Sequence, residues 1–357
     1  MFPRKDLFGK ADEYVYQEPL KQEDGLQVGS IHEHFEDPEL LINMVKETIK
    51  GNYPDVHSIL IVKNDQLVLE EYFYDYDKDT PHQLRSATKP FIGGILGITV
   101  DQGYIESEQE ALFDYFGEVY PEMQVEDVKR EITIEDFLRY KHGLDCENDN
   151  PESAGYEIAM MSSEDWVKHT LALPVVTEPG TVTSYCTGCA TTIGGLAELV
   201  IDTSIEEFAK KYFFDPLEIT NYEWRFDADP SSMNTFNQMF ITPRDLIKIA
   251  SMYKNGGQWQ DKQIISKGWV DKTFNMERGQ YGFLWKERSF QVNGKTYSSY
   301  MATGNGGQKI NIWPELQMIT VFTGGNYNSY LLYGKSTSPN EMIPKYILGA
   351  LDNQAIN

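Results

Sequence analysis

Apolar and polar positions change period along this chain, and the changes divide it into three stretches. Residues 1–37 are polar, acidic and weakly periodic, and read as an N-terminal arm. ELLINMVKETIKG (39–51) then carries apolar residues at helical spacing and stops at Gly51. Two β-rich runs follow, Ser58–Lys63 and Gln66–Tyr72, on either side of Asn64-Asp65, which predicts a hairpin. Ser86 opens a long apolar segment, SATKPFIGGILGITVDQGYI, read as a helix. Pro90 sits in its first turn, where the missing N–H costs little, and Gly93-Gly94 suit close packing on neighbours.

From about 105 to 275 helical patterns dominate. TIEDFLRY (133–140) and SIEEFAKKYFF (204–214) are examples, as is TPRDLIKIASMYKNGG (242–257) with its Thr cap, early Pro and Gly stop. From about 280 the period returns to that of strands in YGFLWKE, KTYSSYMAT, QKINIWP and QMITVFTGG, and a last helix is expected over roughly 339–351. The expected class is therefore α+β. An antiparallel β-sheet flanked by helices is built from both ends of the chain (38–104 and 276–357), with an inserted mainly helical domain (105–275). The cleft between the two is the expected site.

Composition narrows the function. The chain has 357 residues, 41% of them hydrophobic and 13% aromatic, enough to bury a substantial core. A net charge of −24 spread along the chain argues for a highly soluble surface and against nucleic-acid or anionic-membrane partners, which need a clustered basic face. No run approaches the length of a transmembrane helix. MFPRKDLFGKADEY has no apolar core of a signal peptide, and localisation stays open. Cys146, Cys186 and Cys189 do not form the even set of a disulfide framework. Cys186-x-x-Cys189 suits a redox pair or half of a zinc site, but no second pair completes the latter, so buried cysteines at a helix start are expected.

The chemistry rests on what is absent as much as on what is present. There is no Gly-x-Ser-x-Gly elbow, no His-Glu-x-x-His and no phosphate loop. His32-x-His34 is the best metal spacing, and nothing completes it, so neither a metal nor an organic cofactor is expected. Gly304-Asn305-Gly306-Gly307 is followed by a strand, not the helix a phosphate cradle needs. What is present is Ser86-Ala87-Thr88-Lys89. A serine at a helix start lies where N–H groups favour negative charge, and a lysine three positions on shares its face. An ammonium withdrawn from water loses proton affinity, so such a lysine can serve as base or relay. About one Ser-x-x-Lys arises by chance in such a chain, and Ser251-Met252-Tyr253-Lys254 is a second. It lies at a helix end, where the dipole disfavours a nucleophile, and Ser251 is read as structural.

Around Ser86 the sequence resembles the β-lactamase-related serine hydrolases, which include class C β-lactamases, D,D-peptidases, esterases and aminohexanoate-dimer hydrolases. LVLEEYFYDYDKDTPHQLRSATKPFIGGILGITVDQGYI is similar to their nucleophile region. ITIEDFLRYKHGLD, EPGTVTSYCTGCATTIGGLAE, FITPRDLIKIASMYKNGGQWQDKQIISKGWV and YMATGNGGQKINIWPELQMITVFTGG follow in the family's order, so the resemblance runs from about 20 to 350. It implies a β-lactamase/transpeptidase-like fold and an acyl-Ser86 intermediate. It makes Lys89 and Tyr185 the general acid/base pair and the backbone N–H groups of Ser86 and Asn305 the oxyanion hole. Thr187, Ala302 and Gly304 would face a small-molecule ester or amide substrate; oligomeric state is left open. Without the resemblance Tyr185 reads as a packing tyrosine.

Two departures shift the expectation within the family. Tyr185-Cys186-Thr187 stands where relatives often have Tyr-x-Asn, and Ala302-Thr303-Gly304 where many have Lys-Thr-Gly or His-x-Gly. The missing cation would have held a substrate carboxylate or assisted proton transfer. Esterase or amidase chemistry is therefore the leading expectation. A D,D-peptidase or β-lactamase acting on cell-wall-type substrates, or a catalytically retired binding member, is the alternative.

Overall fold

The structure is a computed structural model, and it describes residues 10–123, 125–225, 238–329 and 337–351. The first nine residues of the expected arm and the last six of the chain lie outside the described residues. The centre is an eight-stranded sheet. Its strands in chain order are β1 (Gln27–Val28), β2 (Val56–Lys63), β3 (Gln66–Tyr72), β4 (Tyr281–Gly282), β5 (Trp285–Val292), β6 (Lys295–Gly304), β7 (Gln308–Trp313) and β8 (Met318–Gly324). They lie side by side as β1-β3-β2-β8-β7-β6-β5-β4, so the two ends of the chain meet at β2 and β8. All pairings are antiparallel except β1 with β3.

Local chemistry accounts for the elements. The hairpin turn is Asn64-Asp65, both at positive φ (49° and 63°), the pair of left-handed residues a two-residue turn demands. β8 is buried at every position, and its sequence, MITVFTG, carries no charged residue and does not alternate. One sheet face holds α1 (Pro38–Ile49) and the closing helical turns Pro339–Met342 and Ile343–Leu348. The other holds α2 (Lys89–Asp101), α3 (Thr187–Val200) and α4 (Pro243–Lys254) with the rest of the helical block. In α2 the glycines are a packing device: a Cβ on Gly94 would lie 2.5 Å from the Tyr253 hydroxyl.

The block between the sheet halves is not helical throughout. Tyr222–Arg225 and Gln238–Ile241 pair with His82–Gln83 as a separate three-stranded sheet. The arm is packed on the body of the fold. Its β1 extends the main sheet, and Arg244, 4% exposed, donates from Nε to Asp24 and from Nη1 to Glu70, each at 2.7 Å. A buried arginine with two carboxylate partners ties the arm to α4 and β3, a long-range contact without local sequence pattern.

Candidate active site

Ser86 lies in a short 3-10 turn, Arg85–Thr88, that runs directly into α2. Arg85 enters it at φ 51°, the backbone kink that turns the chain from the small sheet toward the helix. Lys89 is the first residue of α2, and its Nζ donates to Ser86 Oγ at 2.7 Å. Only 7% of Lys89 is exposed. The same ammonium stands 5.2 Å from the centre of the Tyr185 ring. Three residues expected to act together are thus adjacent, but the Tyr185 hydroxyl has no hydrogen bond to Ser86 or Lys89 among the described residues.

Tyr185 is held by its backbone and its ring. Its carbonyl accepts from Asn148 N (3.1 Å), and its neighbour Ser184 donates from Oγ to Cys146 O (2.6 Å). The ring packs 5.1 Å from Tyr140 and 5.9 Å from Tyr281. Tyr140 is fully buried at φ 55°, and its hydroxyl has no hydrogen-bond partner among the described residues. Burial first, then the neighbouring Tyr185 and Tyr281, hold the Tyr140 phenol far above its usual range, so it stays neutral. Thr187 opens α3, donating from N to Asn148 Oδ1 (2.9 Å) and from Oγ1 to Glu157 Oε1 (2.7 Å).

On the sheet side, β6 ends beside Ser86. A Cβ on Gly304 would overlap the Leu84 carbonyl oxygen, so only glycine lets β6 approach the turn that carries Ser86. The Asn305 N–H that follows donates to no backbone acceptor among the described residues. The Asn305 side chain is fixed through Asn328, which donates from N to Oδ1 (2.8 Å). Ser86 N–H belongs to the first turn of a helix, where backbone donors lack intrahelical acceptors. We expect Gly304→Ala to lower both the melting temperature and kcat, because overpacking at this contact costs about 1–3 kcal/mol and moves Leu84, two residues before Ser86. Unchanged melting and unchanged kcat would show that the close approach is not needed.

Two connected hollows open on Ser86 and Lys89. The smaller, 130 Å³, is lined by Ile92, Met160, Trp166, Thr187 and Asn305 among others. The larger, 790 Å³, runs past Tyr185, Thr303, Gly304 and Asn305 to Lys286 and Lys309. Ala302 departs from the expectation that it faces substrate. It is 1% exposed and lies in the core under the sheet, because alternation along β6 turns it toward α2 and leaves Thr303 on the opposite face. The sequence reading passed over Tyr140, Tyr281, Asn148, Glu157, Lys286 and Lys309. Lys309 carried a signal, a lysine inside the wholly buried strand QKINIW.

The cysteines also differ from expectation. Cys146 and Cys186 form a disulfide across 40 residues, with Cα atoms 5.5 Å apart, and Cys189 is free and buried. The pairing joins the loop before Asn148 to the segment after Tyr185, a meeting made by the fold that cysteine spacing does not reveal. His142, Cys186 and Cys189 lie within metal-binding reach of one another. Two of the three are already committed: Cys186 is in the disulfide, and His142 contacts Ser184 O through Nε2 and accepts from Leu144 N at Nδ1. Cys146→Ser is expected to lower unfolding free energy by about 2–4 kcal/mol, read from the urea midpoint without reductant. Equal midpoints with and without reductant in the parent protein would exclude a stabilising disulfide.

With this geometry in place, comparison with known proteins decides the family. Residues 50–333 match the family described as Beta-lactamase. The chain belongs to the β-lactamase family. It is similar to the 6-aminohexanoate-dimer hydrolase of Paenarthrobacter ureafaciens, with 22% identity over 231 residues, 60% of this chain and 56% of that protein. The match therefore spans about half the length of that relative. Among solved structures it resembles a hydrolase with promiscuous acyltransferase activity (TM-score 0.68, 13% identity, 87% of this chain and 98% of that one). A class C beta-lactamase is similarly close (TM-score 0.64, 13% identity, 89% and 97%). These likenesses bear out the expected β-lactamase-like fold.

Proposed function

We propose that this member of the β-lactamase family cleaves an ester or amide bond of a small acyl substrate through a covalent acyl-Ser86 intermediate. The observation that carries the reading is the 2.7 Å bond from Lys89 Nζ to Ser86 Oγ at the mouth of the cleft. A positive charge beside the serine oxygen favours the alkoxide that must attack. The Ser86 and Asn305 N–H groups would receive the carbonyl oxygen as it gains charge, the role that most lowers acyl-transfer barriers. Tyr185, beside the same ammonium, would complete the proton path once substrate draws its hydroxyl onto Ser86 Oγ; catalytic hydrogen bonds often tighten only in the loaded enzyme. It would then activate water to release the acyl group.

Balance follows from these roles. Ser86 Oγ bonds to the carbonyl carbon as its proton passes to whichever member of the Lys89–Tyr185 pair is unprotonated; that proton then goes to the leaving oxygen or nitrogen as the bond to the carbonyl carbon breaks, which restores the pair. Water then repeats the sequence on the acyl-serine. Ala302 supplies no cation at the position where many relatives carry one, which favours esterase or amidase chemistry over β-lactam cleavage. A panel of p-nitrophenyl acetate, 6-aminohexanoate dimer, a D-alanine amide and a chromogenic cephalosporin tests this. Turnover of the ester or the dimer, with the cephalosporin slowest, is the expected order. Fastest turnover of the cephalosporin would replace this reading with a β-lactamase, and no turnover of any would favour a retired binding protein.

A further inference from the structure

Four metal-ligand side chains that the reaction above does not use meet beside the segment that carries Tyr185. They come as two sequence pairs, His142-x-x-x-Cys146 and Cys186-x-x-Cys189. Close spacing within a pair and a long separation between pairs is how structural zinc ligands are distributed along a chain. Cys186 is the N-cap of α3 and Cys189 lies in its first turn. His142 and Cys146 lie in the loop after the helical turn Ile134–Leu138. The fold brings the pairs together. Donor atoms of His142, Cys186 and Cys189 all lie within 4.8 Å of one another, and Cys146 is bonded to Cys186 at the edge of that group.

The chemistry of the group suits zinc. Three sulfurs and an imidazole are soft to intermediate ligands, and Zn–S bonds of about 2.3 Å place tetrahedral donors about 3.8 Å apart, so the cluster needs to draw in by about 1 Å at most. His142 Nδ1 accepts from Leu144 N (3.0 Å), so the ring proton is on Nε2, which donates to Ser184 O (3.0 Å). That is the arrangement of a ligating histidine: one nitrogen tied to a backbone carbonyl, the other presenting its lone pair. The N-terminal N–H groups of α3 favour thiolates at Cys186 and Cys189. All four residues are at most 2% exposed, and none lines either hollow that opens on Ser86. Four protein ligands in a closed, dry place leave no position for substrate, which marks a structural site.

We infer that His142, Cys146, Cys186 and Cys189 form a structural zinc site in the reduced protein, and that the disulfide and the metal are alternative ties on the same cluster. The two exclude each other, because the sulfurs of Cys146 and Cys186 bond either to one another or to the metal. A dithiol reductant supplies two electrons and two protons to the Cys146–Cys186 bond, leaving two thiols and its own disulfide. Zn²⁺ then displaces one proton from each of Cys146, Cys186 and Cys189 and takes the lone pair of neutral His142, so three protons are released. Either tie fastens the loop that leads to Asn148 onto the segment that carries Tyr185. The sequence shows a single Cys-x-x-Cys, and the completing pair becomes visible only in the fold. The inference stands apart from the hydrolase reading.

The test uses the full chain, produced and kept under a phosphine reductant, stripped of metal by a chelator and desalted. Titration with Co²⁺ is expected to saturate at one ion per chain, with the visible absorption of tetrahedral cobalt and a thiolate charge-transfer band. One equivalent of Zn²⁺ should displace it, with a dissociation constant of about 10 nM or tighter by competition with a chromophoric chelator. The same equivalent of Zn²⁺ should raise the melting temperature of the reduced protein, and the oxidised protein should neither bind nor respond. Cys189→Ala leaves the disulfide pair in place and removes one ligand, so it is expected to weaken zinc binding by about a hundred-fold or more, beyond the usual effect of an outer partner. Melting curves of the oxidised parent and variant check that both fold. No tight binding to the reduced parent, or an octahedral cobalt spectrum, overturns the site. So does equally tight binding by the oxidised parent, which needs no variant to show, or undiminished binding by folded Cys189→Ala.

Discussion

Ser86→Ala is expected to abolish hydrolysis and labelling by a fluorophosphonate, whereas Ser251→Ala keeps both near the parent level. The two serines share the Ser-x-x-Lys spacing, so the pair isolates the effect of placement. Ser86 sits at the start of the turn leading into α2, faces the hollow and receives the Lys89 ammonium. Ser251 lies in the last turn of α4, 7% exposed, where the helix dipole disfavours an anion. Loss of the nucleophile removes the covalent route altogether, and the residual rate is expected to be down by about 10³-fold or more. Melting curves of both variants establish that they fold. Equal losses in two folded variants would remove Ser86 from its special position.

Lys89→Ala and Tyr185→Phe should each cost about 10²–10⁴-fold in kcat on an activated ester, and the double variant little more than the worse of the two. The reason is shared work under the proposed mechanism: one ammonium contacts both the serine oxygen and the tyrosine ring, and both residues would serve one proton. Residues that act as a unit lose their effect together. Tyr185→Phe keeps the ring that packs on Tyr140 and Tyr281 and removes only the hydroxyl, so it separates chemistry from packing. If Tyr185→Phe stays within a few-fold of the parent, the hydroxyl has no part in proton transfer, and Lys89 alone carries it. Multiplying losses in the double variant would mean two independent roles.

How much of this was legible in the sequence depends on the range of the interaction. The hairpin at Asn64-Asp65, α1, α4 with its Thr242 cap, and the late strands are written in local periodicity and turn residues, and they formed where those patterns stand. The Ser86–Lys89 contact was legible for the same reason, since three positions of helix bring the two together. Tyr185 came only from the resemblance, because what places it is a set of contacts with residues about forty positions away: Asn148, Cys146 and Tyr140. The Cys146–Cys186 bond and the Arg244 anchor of the arm were invisible for that reason. Ala302 lies in the core, and its motif does not act as a unit, because strand alternation turns it and Thr303 to opposite faces. The lysines at 286 and 309 belong to different strands, and only sheet register brings them to one face.

The account's central claim is an acyl group on Ser86, and mass spectrometry of trapped protein tests it most directly. The protein is mixed with a rapidly acylating, slowly deacylating ester, quenched in acid at early times, digested and sequenced by fragmentation. The expected result is one acyl adduct per chain, on the peptide that contains Ser86, with the modification at that serine and absent from Ser86→Ala. Steady turnover with the adduct on another residue, or with no adduct under conditions that trap acyl-serines, would contradict it.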